Sequence, residues 1–552
     1  MRYSKTTKAK LNGVVYTPKE LADYLAYQMH SYAREDFAEK ESLNILDPAS
    51  GKGELLISLI DVLHKHYPKA KINIDGYEID PSIAQWTQRI LKSLFPYAVI
   101  NIYAQDFISA AATIAGKYDF IIANPPYIRT QMLGSEKARL LAERFGISGR
   151  VDAYYAFLVS VHQLLADNGV AGFITSNKFL SIKSGNDVRN FLIEHYNLHS
   201  IVDFGDTKLF EASVLPCTII FSKGKTIDAK DVKFTSIYEK KDDKNYTLKQ
   251  TLLFENLHKT GEIKLSDGRF FNIEVGCLNS IEHGVPWNVQ SAAKKQWIKK
   301  VESNTWQTFS DIGKIKVGIK TTADNVFIGS SWDEQLELLR PLITHRDAGK
   351  IKSSHNSRWQ VLYPHEVING KKCSVNLEKY PHSQKYLLKH YDQLVARKYI
   401  LEARRNWYEI WVPQNPDSWK DRKIVFRDIA DEPQFWLDET GAIVNGDCYW
   451  IDIFDYVSED MVYLALAVAN SAFIKDFYDA RFNTKLYSGK RRFMSQYVEQ
   501  FPLPYYKTPA AQAAISEVKK VLSNPPGTDN TTHLQTIDHL VEMMFGVNEK
   551  NL

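Results

Sequence analysis

The chain has 552 residues, 44% of them hydrophobic and 24% charged, with a formal net charge of +4. That length and composition exclude a largely disordered polypeptide and suffice for two or more domains with full cores. The small net charge confines any nucleic-acid contact to a local patch, four scattered cysteines (Cys217, Cys277, Cys373, Cys448) form no metal-ligand spacing, and no apolar run is long enough to span a bilayer.

Free thiols of a cytoplasmic protein are the simplest account of the cysteines. Met1-Arg2-Tyr3-Ser4-Lys5 is followed by no apolar segment of a secretion signal. In chain order, Gly13-Val14-Val15-Tyr16-Thr17-Pro18 leads into an amphipathic helix over Leu21–Met29. Thr17 reads as its N-cap and Pro18 as its first helical residue. A capped helix is the plain reading; a helix N-terminus offered to an anionic ligand group is the functional one.

Leu43 to Leu56 reads as strand, tight glycine turn and helix, with Asp47 at the strand end. Gly51 and Gly53 let the backbone approach a ligand closely. The third glycine of a dinucleotide fingerprint, due near Leu56, is absent, and there is no Walker pattern. Those departures favour a ligand with a cationic amino-acid end over a pyrophosphate. A second strand, Ile72–Asp80, carries Glu78 at its end, roughly 25–30 residues past the glycines, where a carboxylate grips ribose hydroxyls. A third, Val99–Tyr103, is followed by Gln105-Asp106-Phe107. An Asp there can take an adenine amino group while the aromatic covers the ring.

Tyr118–Ile122 is a buried strand, and Ala123-Asn124-Pro125-Pro126-Tyr127 ends it, since proline lacks an N–H and fixes φ. In open α/β sheets that is where ligands bind. The Asn124 carboxamide oxygen and the Pro125 carbonyl can accept both hydrogens of one amino group, and Tyr127 can stack on the ring that bears it. The plain alternative is a Pro-Pro turn with Tyr127 as packing. Each carboxylate alone is more often a cap or a solvated charge. Four such sites at successive strand ends, in order, form a pattern.

Asp152–Ala166 reads as a helix, Gly169–Thr175 a strand, Val188–Tyr196 a helix, His199–Phe204 a strand, Leu209–Ser213 a loop and Thr218–Ser222 a last strand. About seven strands alternating with helices predict an α/β, doubly wound domain. Residues 226–305 are mixed and charged and read as a connector. From Trp306 aromatics interleave with basic residues, as in Arg404-Arg405-Asn406-Trp407-Tyr408 and Lys490-Arg491-Arg492-Phe493. Each cluster alone is a solvated face; together they predict a DNA-facing surface.

These residues resemble a gamma-class, TaqI-like N6-adenine DNA methyltransferase over about 13–224. Tyr16-Thr17-Pro18, Asp47-Pro48-Ala49-Ser50-Gly51-Lys52-Gly53, Glu78-Ile79-Asp80, Gln105-Asp106-Phe107 and Asn124-Pro125-Pro126-Tyr127 occur in the family's order. The resemblance implies a Rossmann-like domain binding S-adenosylmethionine. Thr17, Asp47, Pro48, Ala49, Ser50, Gly51 and Gly53 would hold its methionine end. Glu78 would hold the ribose, Asp106 and Phe107 the adenine, Ile79 would also contact the cofactor, and Pro126 would line the site; no metal is implied. Asn124, Pro125 and Tyr127 would be catalytic, acting on an adenine flipped from duplex DNA. Phe210 matches a second aromatic against that base, with Phe204 as the alternative. Direct attack on the sulfonium methyl is implied, and cytosine C5 chemistry, which uses a Pro-Cys nucleophile, is disfavoured.

The resemblance, looser in the C-terminal half, also implies a mixed α+β, TaqI-type target-recognition domain. Its pieces are Gly313–Phe327, Leu339–Ile343 and Tyr463–Phe501, the last running into Pro502-Leu503-Pro504. The expected organisation is a catalytic domain at 1–225, a connector at 226–305, the recognition domain at 306–505 and a helical tail at 506–552. A restriction–modification role follows, with a cognate endonuclease acting separately, because only about a dozen residues precede the Tyr-Thr-Pro element. A methyltransferase of RNA bases or protein glutamine, and a non-catalytic DNA-binding protein, are the competing readings.

Overall fold

The computed structural model describes residues 17–111, 113–127, 153–210, 215–240, 251–332, 335–354, 358–482, 486 and 490–547. The expectations on Gly13–Tyr16, Asp152 and Glu211–Ser213 fall outside them. The chain divides into two compact units, 1–292 with 485–489, and 293–484 with 490–552.

The first unit is built on one twisted sheet. Its strands are β1 (Ser42–Asp47), β2 (Lys71–Glu78), β3 (Val99–Ala104), β4 (Tyr118–Ala123), β5 (Leu165–Ser176), β6 (Tyr196–Asp203) and β7 (Pro216–Lys223), continued by β8 (Lys233–Lys240), β9 (Gly261–Lys264), β10 (Phe270–Leu278) and β11 (Val289–Gln290). The order is β11-β10-β8-β6-β7-β5-β4-β1-β2-β3, with β9 paired to β10. β1 to β5 run parallel, and β7 is antiparallel to both β5 and β6. Every residue of β4 is buried, as a central parallel strand covered on both faces requires.

Helices cover the two faces. On one, α1 (Lys19–Ser31) and α2 (Glu54–His66) bury Leu21, Leu25, Met29, Leu56, Leu59 and Leu63 against Ile45, Phe120, Ile122 and Ile174. α3 (Pro81–Leu94), capped by the Asp80 carboxylate on the amides of Ser82 and Ile83, adds Ala84 and Leu91 to that face. On the other face lie the single turn α4 (Phe107–Ala110), then α5 (Ala153–Ser160) and α6 (Asn186–His195). They close over Leu46, Ile121, Phe173 and Phe221. The doubly wound α/β class is therefore the observed one.

Three details differ from the sequence reading. The helix predicted to Ala166 stops at Ser160, and β5 already starts at Leu165. A register shift between Tyr118 and Phe120 absorbs the Asp167-Asn168-Gly169 turn residues. Thr17 does not cap α1: Pro18 holds the N-cap position with no side-chain cap bond. Residues 226–305 are largely not a connector. β8 extends the sheet parallel to β6, from Ser200↔Lys233 to Asp203↔Ser236, and β10 pairs antiparallel with it from Phe270↔Lys240 to Cys277↔Lys233. Polar residues inside both strands and the charges around them hid them.

The second unit holds a five-stranded sheet ordered Gly313–Val317, Cys448–Ile453, Lys423–Arg427, Phe435–Asp438 and Ile351–Lys352. A second sheet joins Ile328–Gly329, Gln360–Leu362, Leu339–Ile343 and Ile443–Val444. The segment read as a tail forms two helices, Pro509–Ser523 and Thr531–Phe545, whose Ile515, Val518, Val541 and Phe545 share one core with Phe309, Ile424, Leu464 and Phe501. Among the described residues, no helix is long and apolar enough to cross a membrane.

Candidate active site

The predicted residues converge at the carboxyl ends of β1, β2 and β4. After β1 the chain turns through Gly51 at φ +49° and Gly53 at φ +83°, left-handed positions that favour glycine. Three bonds set the turn: Ser50 N–H donates to the Tyr77 carbonyl at 2.8 Å, Gly53 N–H to Ser50 at 2.7 Å, and the Thr87 hydroxyl to Gly51 at 2.6 Å. A Cβ on Gly51 would meet nothing within 4 Å, so the turn opens onto free space there. On Gly53 it would stand 3.0 Å from Thr87 Cγ2.

Asp47 ends β1 with its side chain buried, accepting the Ala49 N–H at 2.9 Å. Burial pushes its carboxyl up to about 8, despite that hydrogen bond, and the negative charges of Glu54 and Glu78 add to the rise. Such a carboxyl is short of positive charge, which a cationic ligand group could supply. Glu78 ends β2 and accepts the Asp80 N–H at 2.8 Å; Ile79 beside it is 64% exposed, a bare apolar surface. Asp106 precedes α4 and takes the Ser109 hydroxyl at 2.5 Å. Phe107 is not free to cover a ligand ring. It is 2% exposed, stacked on Phe157 at 5.6 Å and edge-on to Tyr77 at 5.5 Å.

At the end of β4, the Asn124 amide donates through Nδ2 to the Thr17 hydroxyl at 3.0 Å. That bond turns Oδ1, an acceptor, to the opposite side of the carboxamide. Thr17 therefore orients Asn124 rather than capping a helix. The two lie 107 positions apart, and only the packing of α1 against the sheet joins them. Pro125 is buried and Pro126 and Tyr127 half-buried. The Tyr127 hydroxyl is buried with no hydrogen-bond partner among the described residues, and burial raises its pKa far above the ordinary tyrosine value. Phe204 and Phe210 both lie in the core beneath, Phe204 with no exposed surface and Phe210 with 6%.

The sequence holds one Pro-Cys pair, Pro216-Cys217. Cys217 lies inside β7, opposite Thr175 and Asp203, fully buried, with its thiol raised well above the ordinary value by burial and by the Asp203 charge. It is no nucleophile. Among the described residues no group of three or more His, Cys, Asp or Glu could hold a metal ion.

This sheet order, with a glycine turn after β1 and Asn-Pro-Pro-Tyr after β4, defines a methyltransferase whose cofactor is S-adenosylmethionine. The residues present fit that cofactor: an open glycine turn, a buried carboxyl short of a cation, and an acidic residue at each of the next two strand ends. Residues 50–210 match the family model of the Eco57I restriction-modification methylase, and residues 365–503 that of the TaqI-like C-terminal specificity domain. The chain is 34% identical to the type II methyltransferase M.BanIII of Aneurinibacillus aneurinilyticus over 98% of both lengths. It is 24% identical to M.BstVI of Geobacillus stearothermophilus over 90% of each. A cryo-EM structure of a DrdV–DNA complex shares the fold with a TM-score of 0.54, at 12% identity, over 93% of this chain and 57% of that one. The protein belongs to the type II restriction-modification DNA methyltransferases.

Proposed function

We propose that the protein methylates N6 of an adenine rotated out of duplex DNA at a specific sequence. The observation that carries this reading is the Thr17–Asn124 bond at the end of β4, which engages the Asn124 amide nitrogen and so leaves the carboxamide oxygen as the acceptor end. With the Pro125 carbonyl, that oxygen suits a planar NH2 group. The adenine amino lone pair is delocalised into the ring and is a poor nucleophile. Accepting both N–H bonds at Asn124 Oδ1 and Pro125 O favours a tetrahedral nitrogen with a localised lone pair.

S-adenosylmethionine, when bound, supplies an electrophilic sulfonium methyl. Asp47 would hold its ammonium end, the glycine turn and Thr17 would border the carboxylate, Glu78 would take the ribose hydroxyls, and Asp106 and Ile79 would face the adenine. Phe107 supports Tyr77 from the core instead of covering the ligand. Pro126 would line the cofactor site. Rotating the base out costs a few kcal/mol, and stacking on Tyr127, about 1–3 kcal/mol by analogy with single-strand binders, offsets it. Phe210 is the second stacking face; Phe204, with no exposed surface, is not.

The second unit, carrying the specificity-domain match, grips and reads double-stranded DNA. The setting is the bacterial cytoplasm, where the modification protects host DNA from a separate cognate endonuclease. The test is labelled S-adenosylmethionine with unmethylated duplex DNA, nucleoside digestion and sequencing of modified sites. N6-methyladenine at one short sequence supports the reading. Label in RNA, in protein glutamine or in cytosine overturns it. Asn124→Ala should abolish transfer while cofactor binding stays measurable.

A further inference from the structure

The turn that leaves β6 toward Phe210 is held by strands outside the seven that make up the catalytic sheet. Asp203, the last residue of β6, is fully buried. Its carboxylate accepts the Asn177 amide at 2.9 Å, the Gly205 N–H at 3.0 Å and the Tyr238 hydroxyl of β8 at 2.8 Å. Three residues further on, the buried Asp206 accepts the Glu239 N–H of β8 at 2.7 Å. The Arg269 guanidinium, just ahead of β10, donates to the Thr207 carbonyl at 3.0 Å and to that of Asp206 at 3.5 Å, and lies over the Phe271 ring at 5.0 Å. Gly205 has φ +46°, and a Cβ on it would stand 2.1 Å from the Ile237 carbonyl, so the turn lies directly on β8.

Buried hydrogen bonds of this density usually close a core or hold a functional group in place. Here they act on a four-residue turn, Phe204 to Thr207, whose own backbone makes one short internal bond, Thr207 N–H to Phe204 O at 3.2 Å. Three residues later comes Phe210. We propose that β8 and β10 form a clamp that sets the position of Phe210 for capture of the rotated base, with Tyr238 and Arg269 as its positioning residues. A pre-set aromatic wall spares the enzyme the ordering of that loop when the base arrives. The inference rests on the reading that Phe210 stacks on the target base. It adds that the segment 233–278 belongs to the base-capture machinery rather than to the scaffold alone.

The experiment uses the full-length protein and a duplex carrying 2-aminopurine at the methylated position found by sequencing. Tyr238→Phe removes one hydroxyl and leaves Asp203 two donors; Arg269→Gln acts at the rim and guards against a folding defect in the first. Both should keep the affinity for S-adenosylmethionine within about twofold, lower kcat about tenfold with little change in KM for the cofactor, and cut the 2-aminopurine fluorescence rise severalfold. Phe210→Ala should give the same loss, and Tyr238→Phe added to it should lose no more, because both act through one ring. If the clamp variants melt earlier yet keep the wild-type fluorescence rise and kcat, while Phe210→Ala loses them, the clamp is refuted and the base-capture reading stands. If Phe210→Ala keeps the signal, both fall together.

Discussion

Asp47 carries the sharpest test, because its cost to folding can be worked out. The carboxyl is held at about 8 in the folded protein against an ordinary 3.8, chiefly by burial. The folded state thus favours the neutral acid. That stabilisation is complete below the ordinary pKa and is lost as pH rises through the folded value. Between the ordinary pKa and pH 7 lie a little over three pH units, worth about 4 kcal/mol at 1.36 kcal/mol each. Against a typical net stability of about 5–15 kcal/mol that is large. Asp47→Asn keeps the shape and the acceptor for Ala49 but does not titrate. The variant should therefore be the more stable protein at pH 7, by up to about 4 kcal/mol, and the advantage should shrink to near zero by about pH 4. Thermal melts of the cofactor-free proteins from pH 4 to 8 measure it. Calorimetry should show cofactor binding lost in the same variant, since a carboxamide does not neutralise an ammonium. Melting curves that stay parallel across that range, or an Asn variant that melts earlier at pH 7, refute the reasoning; retained cofactor affinity refutes the assignment of the ammonium.

Three further outcomes are expected. Tyr127→Ala should reduce the 2-aminopurine signal far more than cofactor affinity; equal losses in both would mean that the ring packs rather than stacks. Gly53→Ala forces a side chain into a left-handed position 3.0 Å from Thr87 Cγ2. It should cost about 1–2 kcal/mol by chemical denaturation and weaken cofactor binding, and an unchanged denaturation midpoint would contradict the strain. In the second unit, Lys423 has no exposed side-chain surface, with Nζ 2.9 Å from Asp438 Oδ2 and donating to the Trp419 carbonyl at 2.9 Å. Lys423→Met leaves a buried carboxylate without its cation, held only through Thr440, and should cost about 3–5 kcal/mol, much of it recovered by adding Asp438→Leu; no recovery would place the loss in packing.

The first seven strands were legible because each is an apolar run punctuated by Gly, Pro or Asp, and periodicity reports burial on both faces. β8 and β10 were not: β8 buries Phe234 to Tyr238 in a row, but Thr235 and Ser236 interrupt the apolar run and lysines flank it, while β10 alternates buried and half-exposed residues with Asn272 and Glu274 among them. Asp47, the glycines, Glu78 and Asn124 could be read because backbone conformation and strand-end chemistry are local. The Thr17–Asn124 bond and the Asp203–Tyr238 bond could not, as each joins residues that only the sheet order brings together. Phe107 misleads for a related reason: an aromatic after a strand-end acid looks available to a ligand, and only the position of Phe157 shows its ring already covered.

The placement of β7 between β5 and β6 has a consequence for how the sheet is assembled. From β8 onward, β8, β10 and β11 each join at the outer edge left by an earlier strand. β7 inserts between two strands that precede it in sequence, as β10 does between β8 and β9. As the polypeptide is synthesised, β5 therefore waits with an open edge, bearing Val170, Ala171, Phe173 and Ile174, until residues 216–223 arrive. A fragment cut anywhere before Lys223 keeps the glycine turn, Asn124 and Tyr127, but exposes a long apolar strand edge of the kind that pairs with other molecules. A catalytic fragment of this enzyme therefore needs residues through Lys223 to cover that edge, well past the strand ends that would hold the cofactor.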